Sequence, residues 1–245
     1  MRRFFIQGKA DIGTICHIEG PDAKHVKTVL RMNPGDEIWL FDGMGMEYRG
    51  IIRTIRPACV DVEIVSATAC PDSGSVEITI AQAILKDRKM DTLVRQLTEL
   101  GIKRWLPVIT HRSVPRPDSR RIKSRMERWR TIAQESLKQC GRGFFPELLL
   151  PVHFSEALSM SNDHDLSIIF TNKEERPLGP LPGINKGENA KVMLMLGPEG
   201  GFTDQEIALA LEKGLTAAGL GPRILKADTA TLAATAIVQH LLGEM

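Results

Sequence analysis

The stretch KVMLMLGPEGGFTDQEI, Lys191 to Ile207, decides how the chain is read. After Lys191 it runs apolar to Leu196 without alternation, the pattern of a central parallel strand buried on both faces. Gly197-Pro198-Glu199-Gly200-Gly201 then turns the chain sharply. Thr203, with Glu206 three positions on, forms a capping box that starts a helix over Asp204 to Lys213. A strand that leaves through a glycine loop into a helix is a βα unit, and open α/β sheets hold ligands at the carboxyl ends of such strands. The competing reading is a tight connection with ordinary capping. Neither a GxxxxGK phosphate loop nor a GxGxxG turn is present, and Glu199 would repel a phosphate. Hydroxyls, an adenine edge or a positively charged sulfonium would each tolerate that carboxylate.

Downstream, Leu220-Gly221-Pro222-Arg223-Ile224-Leu225-Lys226-Ala227-Asp228-Thr229 repeats the logic of the first turn. It joins a short strand around Leu215 to Leu220 to a last helix from about Thr229 to Leu242. Cationic Arg223 and Lys226 stand beside anionic Asp228, and Asp228 or Thr229 also suits the cap of that helix. The helix is almost free of charge on every face, so something must cover it. A partner subunit is the natural cover, which predicts a homodimer. His240 reads as a core or interface histidine rather than a ligand.

Upstream, strands over Val76 to Leu85, Trp105 to Thr110 and Leu166 to Thr171 alternate with helices over Lys89 to Leu100 and Ser119 to Cys140. The first helix puts Met90, Leu93, Val94, Leu97 and Leu100 on one stripe. The second aligns Ile122, Met126, Trp129, Ile132, Ala133, Leu137 and Cys140, with arginines opposite. This alternation predicts a mostly parallel sheet covered by helices. Gly179 to Asn189 reads as a mobile loop.

The first seventy residues have another rhythm. Short strands over Phe4 to Gln7, Thr14 to Ile18, Glu37 to Phe41, Glu47 to Ile55 and Cys59 to Ser66 are separated by turns such as Asn33-Pro34-Gly35-Asp36 and Asp42-Gly43. A helix over Asp22 to Arg31 should turn Val26, Val29 and Leu30 inward. Many short strands with little helix predict a small barrel. The polar stretch Ala69 to Ser75 marks the boundary, giving domains over 1–70 and 75–245.

The net charge of +2 is unevenly spread. Lys103 to Arg130 holds ten basic residues against Asp118 and Glu127, a segment of +8 that leaves the rest at −6. Such concentration suits a polyanion-binding surface, since neutralised phosphates release counterions; a solvated helix face would look the same. Cys16, Cys59, Cys70 and Cys140 form no CxxC pair, which argues against a zinc site or a disulfide framework and reads as small core residues. No apolar run approaches the roughly 20 residues of a membrane helix. The start, MRRFFIQGKADIG, lacks the apolar stretch of a secretory signal, so the expectation is a cytoplasmic protein without metal or membrane association.

LMLGPEGGFTDQEI followed by LGPRILKADTATLAATA closely resembles the 16S ribosomal RNA uridine-N3 methyltransferases of the RsmE type, within the SPOUT superfamily. HVKTVLRMNPGDEIWLFDG, KMDTLVRQLTELGIKRWLPVITHRSV and ERWRTIAQESLKQCGRGFFPEL extend the likeness over nearly the whole chain. The resemblance implies a PUA-like RNA-binding barrel followed by an α/β methyltransferase domain whose C-terminal part is tied in a trefoil knot. It implies S-adenosylmethionine bound between the turn at Thr171, the loop of Leu196, Gly197, Glu199 and Gly200, and the turn of Leu220, Gly221, Ile224 and Leu225, at a dimer interface. The last family motif usually runs Leu-Arg-Thr-Glu-Thr-Ala; here it is Leu225-Lys226-Ala227-Asp228-Thr229-Ala230, and a lysine cannot copy a bidentate guanidinium.

Methyl transfer to uridine N3 needs a cation to stabilise charge developing on the uracil oxygens, for which Arg223 is the expected residue, and a carboxylate near the N3 proton, Asp228 or Glu199. The substrate would be 16S ribosomal RNA or the small ribosomal subunit, with the target base flipped out of its stack. Arg2, Arg3, Lys24, Lys27 and Arg31 of the barrel, with Arg112, Arg121 and Arg125, would hold the phosphates. A ribose 2′-O-methyltransferase would use the same knot, and a non-catalytic RNA-binding module would keep the basic face without taking up cofactor.

Overall fold

The structure, a computed structural model, describes residues 3–70, 74–114, 119–174, 178–179 and 190–245. Arg2, Arg116 and nearly all of the loop expected over Gly179 to Asn189 lie outside the described residues. The chain divides into two compact units, Met1–Ser73 with Gln134–Phe145, and Gly74–Ala133 with Pro146–Met245.

In the first unit, β1 (Arg3–Phe5), β2 (Ile15–Glu19), β3 (Glu37–Phe41), β4 (Met46–Ile55) and β5 (Cys59–Ala69) make one sheet in the order β1-β3-β4-β5-β2. Phe4 and Ile18, from its two edge strands, are buried in the same core as Ile38, Leu40, Ile52 and Val62, so the sheet curls around one interior. The Asp42–Gly43 turn is fixed by the Asp42 carboxylate, which accepts from the Met44 and Met46 amides at 2.7 and 3.1 Å and from the Tyr48 hydroxyl.

Three expectations fail in this unit. The helix α1 (Gly20–Lys24) widens into a π-turn over His25–Val29, closed by Leu30 N–H to His25 O at 3.0 Å. The extra residue per turn rotates Val29 outward to 66% exposure, while Val26 stays buried. Arg3, expected on the surface, is buried: its guanidinium donates to Glu47 and to the carbonyls of Leu137 and Arg142, and lies over Phe41. Of the cysteines, only Cys16 packs against this core. Cys16, Cys59 and Cys70 are half-buried and Cys140 is exposed, because they occupy an edge strand, strand ends and a helix end.

In the second unit, β6 (Val76–Ala83), β7 (Arg104–Ile109), β8 (Glu147–Leu148), β10 (Leu166–Phe170), β11 (Ala190–Leu196) and β12 (Thr216–Ala218) lie in the order β12-β10-β11-β6-β7-β8, with β9 (Val152–His153) also on β7. Every one of these pairings is parallel. The helices are α2 (Lys89–Leu100), α3 (Ser119–Cys140), α4 (Phe154–Met160), α5 (Asp204–Glu212) and α6 (Ala227–Leu242). The central strand is β11, buried from Val192 to Leu196, as an unbroken apolar run requires. The α2 stripe buries Met90, Leu93, Val94 and Leu97. In α3, Trp129, Ala133 and Leu137 are buried, and Trp129 stands edge-on to Trp105. Among the described residues no helix is long and apolar enough to cross a membrane.

Candidate active site

Register places the site. Ala218 pairs with Phe170, Phe170 with Leu196, and Leu196 with Gln82, so β12, β10, β11 and β6 end level with one another. Because β11 is inserted between β6 and β10, the loops leaving these ends converge over one crevice. A cavity of about 420 Å³ opens there, within the range of small-molecule sites.

Of the residues expected at the cofactor, Thr171, Leu196, Gly197, Glu199, Leu220, Ile224 and Leu225 line this cavity, together with Arg223. Gly200, Gly221 and Asp228 are not in its lining. Gly200 faces Arg112, whose Nη1 donates to the Gly200 carbonyl at 2.7 Å. Gly221 has φ +91°, which gives its turn a shape that side chains disfavour. Asp228 sits in the first turn of α6; its Oδ1 is buried and lacks a hydrogen-bond partner. The helix starts at Ala227 with Lys226 at the N-cap position, and no side chain bonds the cap, so neither Asp228 nor Thr229 caps it.

The glycine loop is held from both sides. Thr203 accepts from the Glu206 amide, and Glu206 returns a bond to the Thr203 amide, completing the expected capping box. Glu206 is buried and also accepts from the His111 amide. On the β6 side, Gln82 is fully buried: its Nε2 donates to the carbonyls of Ala83 and Gly197, and its Oε1 accepts from Thr231 of α6. One amide thereby fixes the strand end, the loop and the last helix.

Lys89, at the start of α2, was not among the expected site residues. Its Nζ lies 2.8 Å from Glu199 Oε1, which also accepts from the Lys86 amide at 3.2 Å. Burial pushes the Glu199 carboxyl up, but the bonds from Lys89 and from backbone amides outweigh it and hold the group below its ordinary range. Glu199 is therefore a fixed anion. Phe170, Asn172, Phe202 and Lys226 also line the cavity. The signal for Lys89 was a cation just past the carboxyl end of β6, the strand beside β11.

The donor set fits S-adenosylmethionine: apolar walls from Phe170, Leu196, Phe202 and Leu225 for an adenosine, backbone edges for its ring, and an ionised Glu199 compatible with a sulfonium.

The basic segment is partly engaged inside its own unit. Arg104 pairs with Glu147, Arg128 with Asp91 and Lys103 with Glu77. Lys24, Lys27 and Arg31 are exposed, as are Arg112 and Arg121, and Arg125 is half-buried.

A parallel sheet whose glycine loop walls a crevice at level strand ends defines an α/β protein with a site for a small organic ligand. Residues 72–239 match the family described as RNA methyltransferase domain, and residues 18–64 the RNA methyltransferase PUA domain. Ribosomal RNA small subunit methyltransferase E of Bacillus subtilis is 27% identical, with 98% of this chain and 96% of that protein aligned. Its counterpart in Rickettsia conorii is 30% identical over 89% and 86%. A Legionella pneumophila methyltransferase solved with bound S-adenosylmethionine superposes with a TM-score of 0.90 at 30% identity, covering 98% of this chain and 97% of that one. The Neisseria gonorrhoeae small subunit methyltransferase E bound to S-adenosylmethionine gives 0.87 at 30%, covering 98% of each. The chain belongs to the ribosomal RNA small subunit methyltransferase E family, S-adenosylmethionine-dependent enzymes of the SPOUT type.

Proposed function

We propose that this protein methylates N3 of a specific uridine in 16S ribosomal RNA of the small subunit, as a cytoplasmic homodimer. In this reading residues 1–70 form the RNA-holding barrel, and 75–245 form the methyltransferase with the C-terminal segment knotted through its own chain. The observation that carries the proposal is the convergence of Thr171, the Gly197–Glu199 loop and the Leu220–Leu225 turn on one cavity at level strand ends.

S-adenosylmethionine, when bound, supplies an electrophilic methyl carbon on a sulfonium. The cavity's apolar residues and loop backbones orient its adenosyl part, and alignment of the two reactants supplies much of the acceleration. Arg223, exposed on the cavity rim, stabilises charge developing on a uracil oxygen. Glu199 is committed to Lys89, so it serves as a fixed counter-charge and not as the proton acceptor. Asp228, with an unpartnered Oδ1, is the carboxylate left to take the N3 proton.

Lys24, Lys27 and Arg31 of the first unit and Arg112, Arg121 and Arg125 of the second are the proposed phosphate contacts. Leu232, Ala233, Ala236 and Ile237, on the half-exposed side of α6, are the proposed dimer face. The deciding experiment is incubation with small ribosomal subunits and labelled S-adenosylmethionine, followed by nucleoside analysis. N3-methyluridine is expected; a ribose-methylated nucleoside or no incorporation would overturn the proposal.

A further inference from the structure

The first unit carries a cluster of metal-type ligands that shares no residue with the cavity. Antiparallel register puts His17 of β2 opposite Asp61 of β5, and Glu19 opposite Cys59. Residues two apart on a strand share a face, so all four side chains project to the same side of this edge pair. His17 Nδ1 lies 2.9 Å from Asp61 Oδ1 and 3.9 Å from Cys59 Sγ, and Cys59 Sγ is 3.6 Å from Asp61 Oδ1. The three ligand atoms lie within 4.8 Å of one another.

These separations match a metal site. Zinc bonds of about 2.0 Å to nitrogen or oxygen and about 2.3 Å to sulfur, arranged tetrahedrally, put the ligand atoms roughly 3.3–3.6 Å apart. The triangle needs adjustments of only a few tenths of an ångström, and His17 and Cys59 line an open groove with Glu19, Arg56, Pro57 and Ala58. One imidazole, one thiol and one carboxylate favour zinc over the hard ions magnesium and calcium.

A cation already occupies the neighbourhood. Arg56 Nη2 sits 2.5 Å from Asp61 Oδ1 and 3.8 Å from Cys59 Sγ, on a side chain more than half exposed that is free to swing into solvent. We propose that His17, Cys59 and Asp61 bind one zinc-type divalent ion, with Glu19 or water in the fourth position and Arg56 as the competing cation. Binding displaces the Cys59 thiol proton and requires His17 to carry its ring proton on Nε2 instead of the Nδ1 that faces Asp61, which frees the Nδ1 lone pair for the ion. The ion would clip edge strand β2 to β5. His17 lies 42 residues before Cys59 in sequence, so no short metal motif announces the set; strand register assembles it.

The test uses the tag-free full chain, stripped by chelator and titrated with Co²⁺ as a spectroscopic probe, then with Zn²⁺ in competition. One equivalent per chain should give a near-ultraviolet thiolate-to-cobalt band and intense visible bands of tetrahedral cobalt, both removed by zinc. Cys59→Ser should abolish the thiolate band, His17→Ala should weaken binding at least tenfold, and Arg56→Ala should tighten it severalfold. Cys140→Ser, at the exposed cysteine, should change nothing. Absence of the thiolate band, or its persistence in Cys59→Ser, overturns the site. A measurement free of variants is alkylation of the unaltered protein: zinc should slow modification of Cys59 at least tenfold and leave Cys140 alone, and equal rates with and without zinc would refute the proposal.

Discussion

Lys89 Nζ and Glu199 Oε1, separated by 110 residues of chain, meet at 2.8 Å on the wall of the cavity at the strand ends. The pair joins the start of α2 to the glycine loop after β11. Both groups are about 30% exposed, so its worth lies in fixing one negative charge in the cavity wall more than in stability. Replacing Glu199 by Gln keeps the shape and removes the charge. The expected result is a rise of about tenfold in the dissociation constant for S-adenosylmethionine, the scale of one hydrogen bond to a charged group. Affinity for the uncharged-sulfur product S-adenosylhomocysteine should change by less than threefold. Calorimetric titration with both ligands checks this, and equal losses would remove the role assigned to Glu199.

The two glycines of the loop should differ sharply. A Cβ on Gly197 would stand 3.3 Å from Phe202 and 3.4 Å from Gly201 Cα, against the cavity wall. On Gly200 it would reach only the Arg112 side chain, at 3.4 Å, which is ordinary contact. Gly197→Val is therefore expected to weaken cofactor binding at least tenfold, and Gly200→Val less than threefold. Titration of both variants, with circular dichroism to show that each is folded, separates the positions.

The legible parts of the chain were those set by local pattern. The apolar run before Gly197 gave the buried strand, and Thr203, with Glu206 three residues later, gave the helix start at Asp204. What escaped depends on long-range register or packing. The partner of Glu199 is Lys89, across the sheet, and Gln82 bridges to Thr231 over 149 residues. The segment Gln134–Phe145, written as the end of a helix and a loop, belongs to the first unit, where Phe145 N–H bonds Gly43 O and Lys138 pairs with Asp22. Arg3 reads as a surface cation until the backbone carbonyls that hold it are known.

Charge concentration in α3 makes a prediction about RNA affinity. Each phosphate contact contributes about −0.7 to −0.9 to the slope of log affinity against log salt. Replacing Arg121 and Arg125 by Ala should flatten that slope by about 1.4 to 1.8. Arg104, already held by Glu147 at 2.8 Å, should leave it unchanged when replaced. Fluorescence anisotropy of a labelled small-subunit RNA fragment across a potassium chloride series measures all three slopes. An unaltered slope in the double variant would take α3 out of the RNA footprint.

His164 gives the second unit a defined dependence on pH. Its Nδ1 lies 3.0 Å from the Met160 carbonyl, which can only accept, so that nitrogen carries the proton. The Nε2 lies 2.8 Å from Thr79 Oγ1 and accepts the hydroxyl proton in the neutral ring. Protonation would reverse this bond, so that the buried Thr79 hydroxyl must accept from Nε2 and turn its own proton elsewhere. Burial lowers the His164 pKa most; the Met160 bond and Asp163 oppose this, while Arg104 and Lys191 assist it, and the net shift is downward. The unfolded ring binds its proton near the ordinary value of about 6.5, before the folded ring does. Its contribution to stability is thus complete above that value and is lost as pH falls through the lower folded value. His164→Gln cannot titrate and should lose less stability than the unaltered protein on going from pH 8 to pH 5.5. Urea midpoints of both proteins at the two pH values measure the difference, in which the carboxylates common to both cancel. Parallel losses would show that His164 does not set the acid sensitivity.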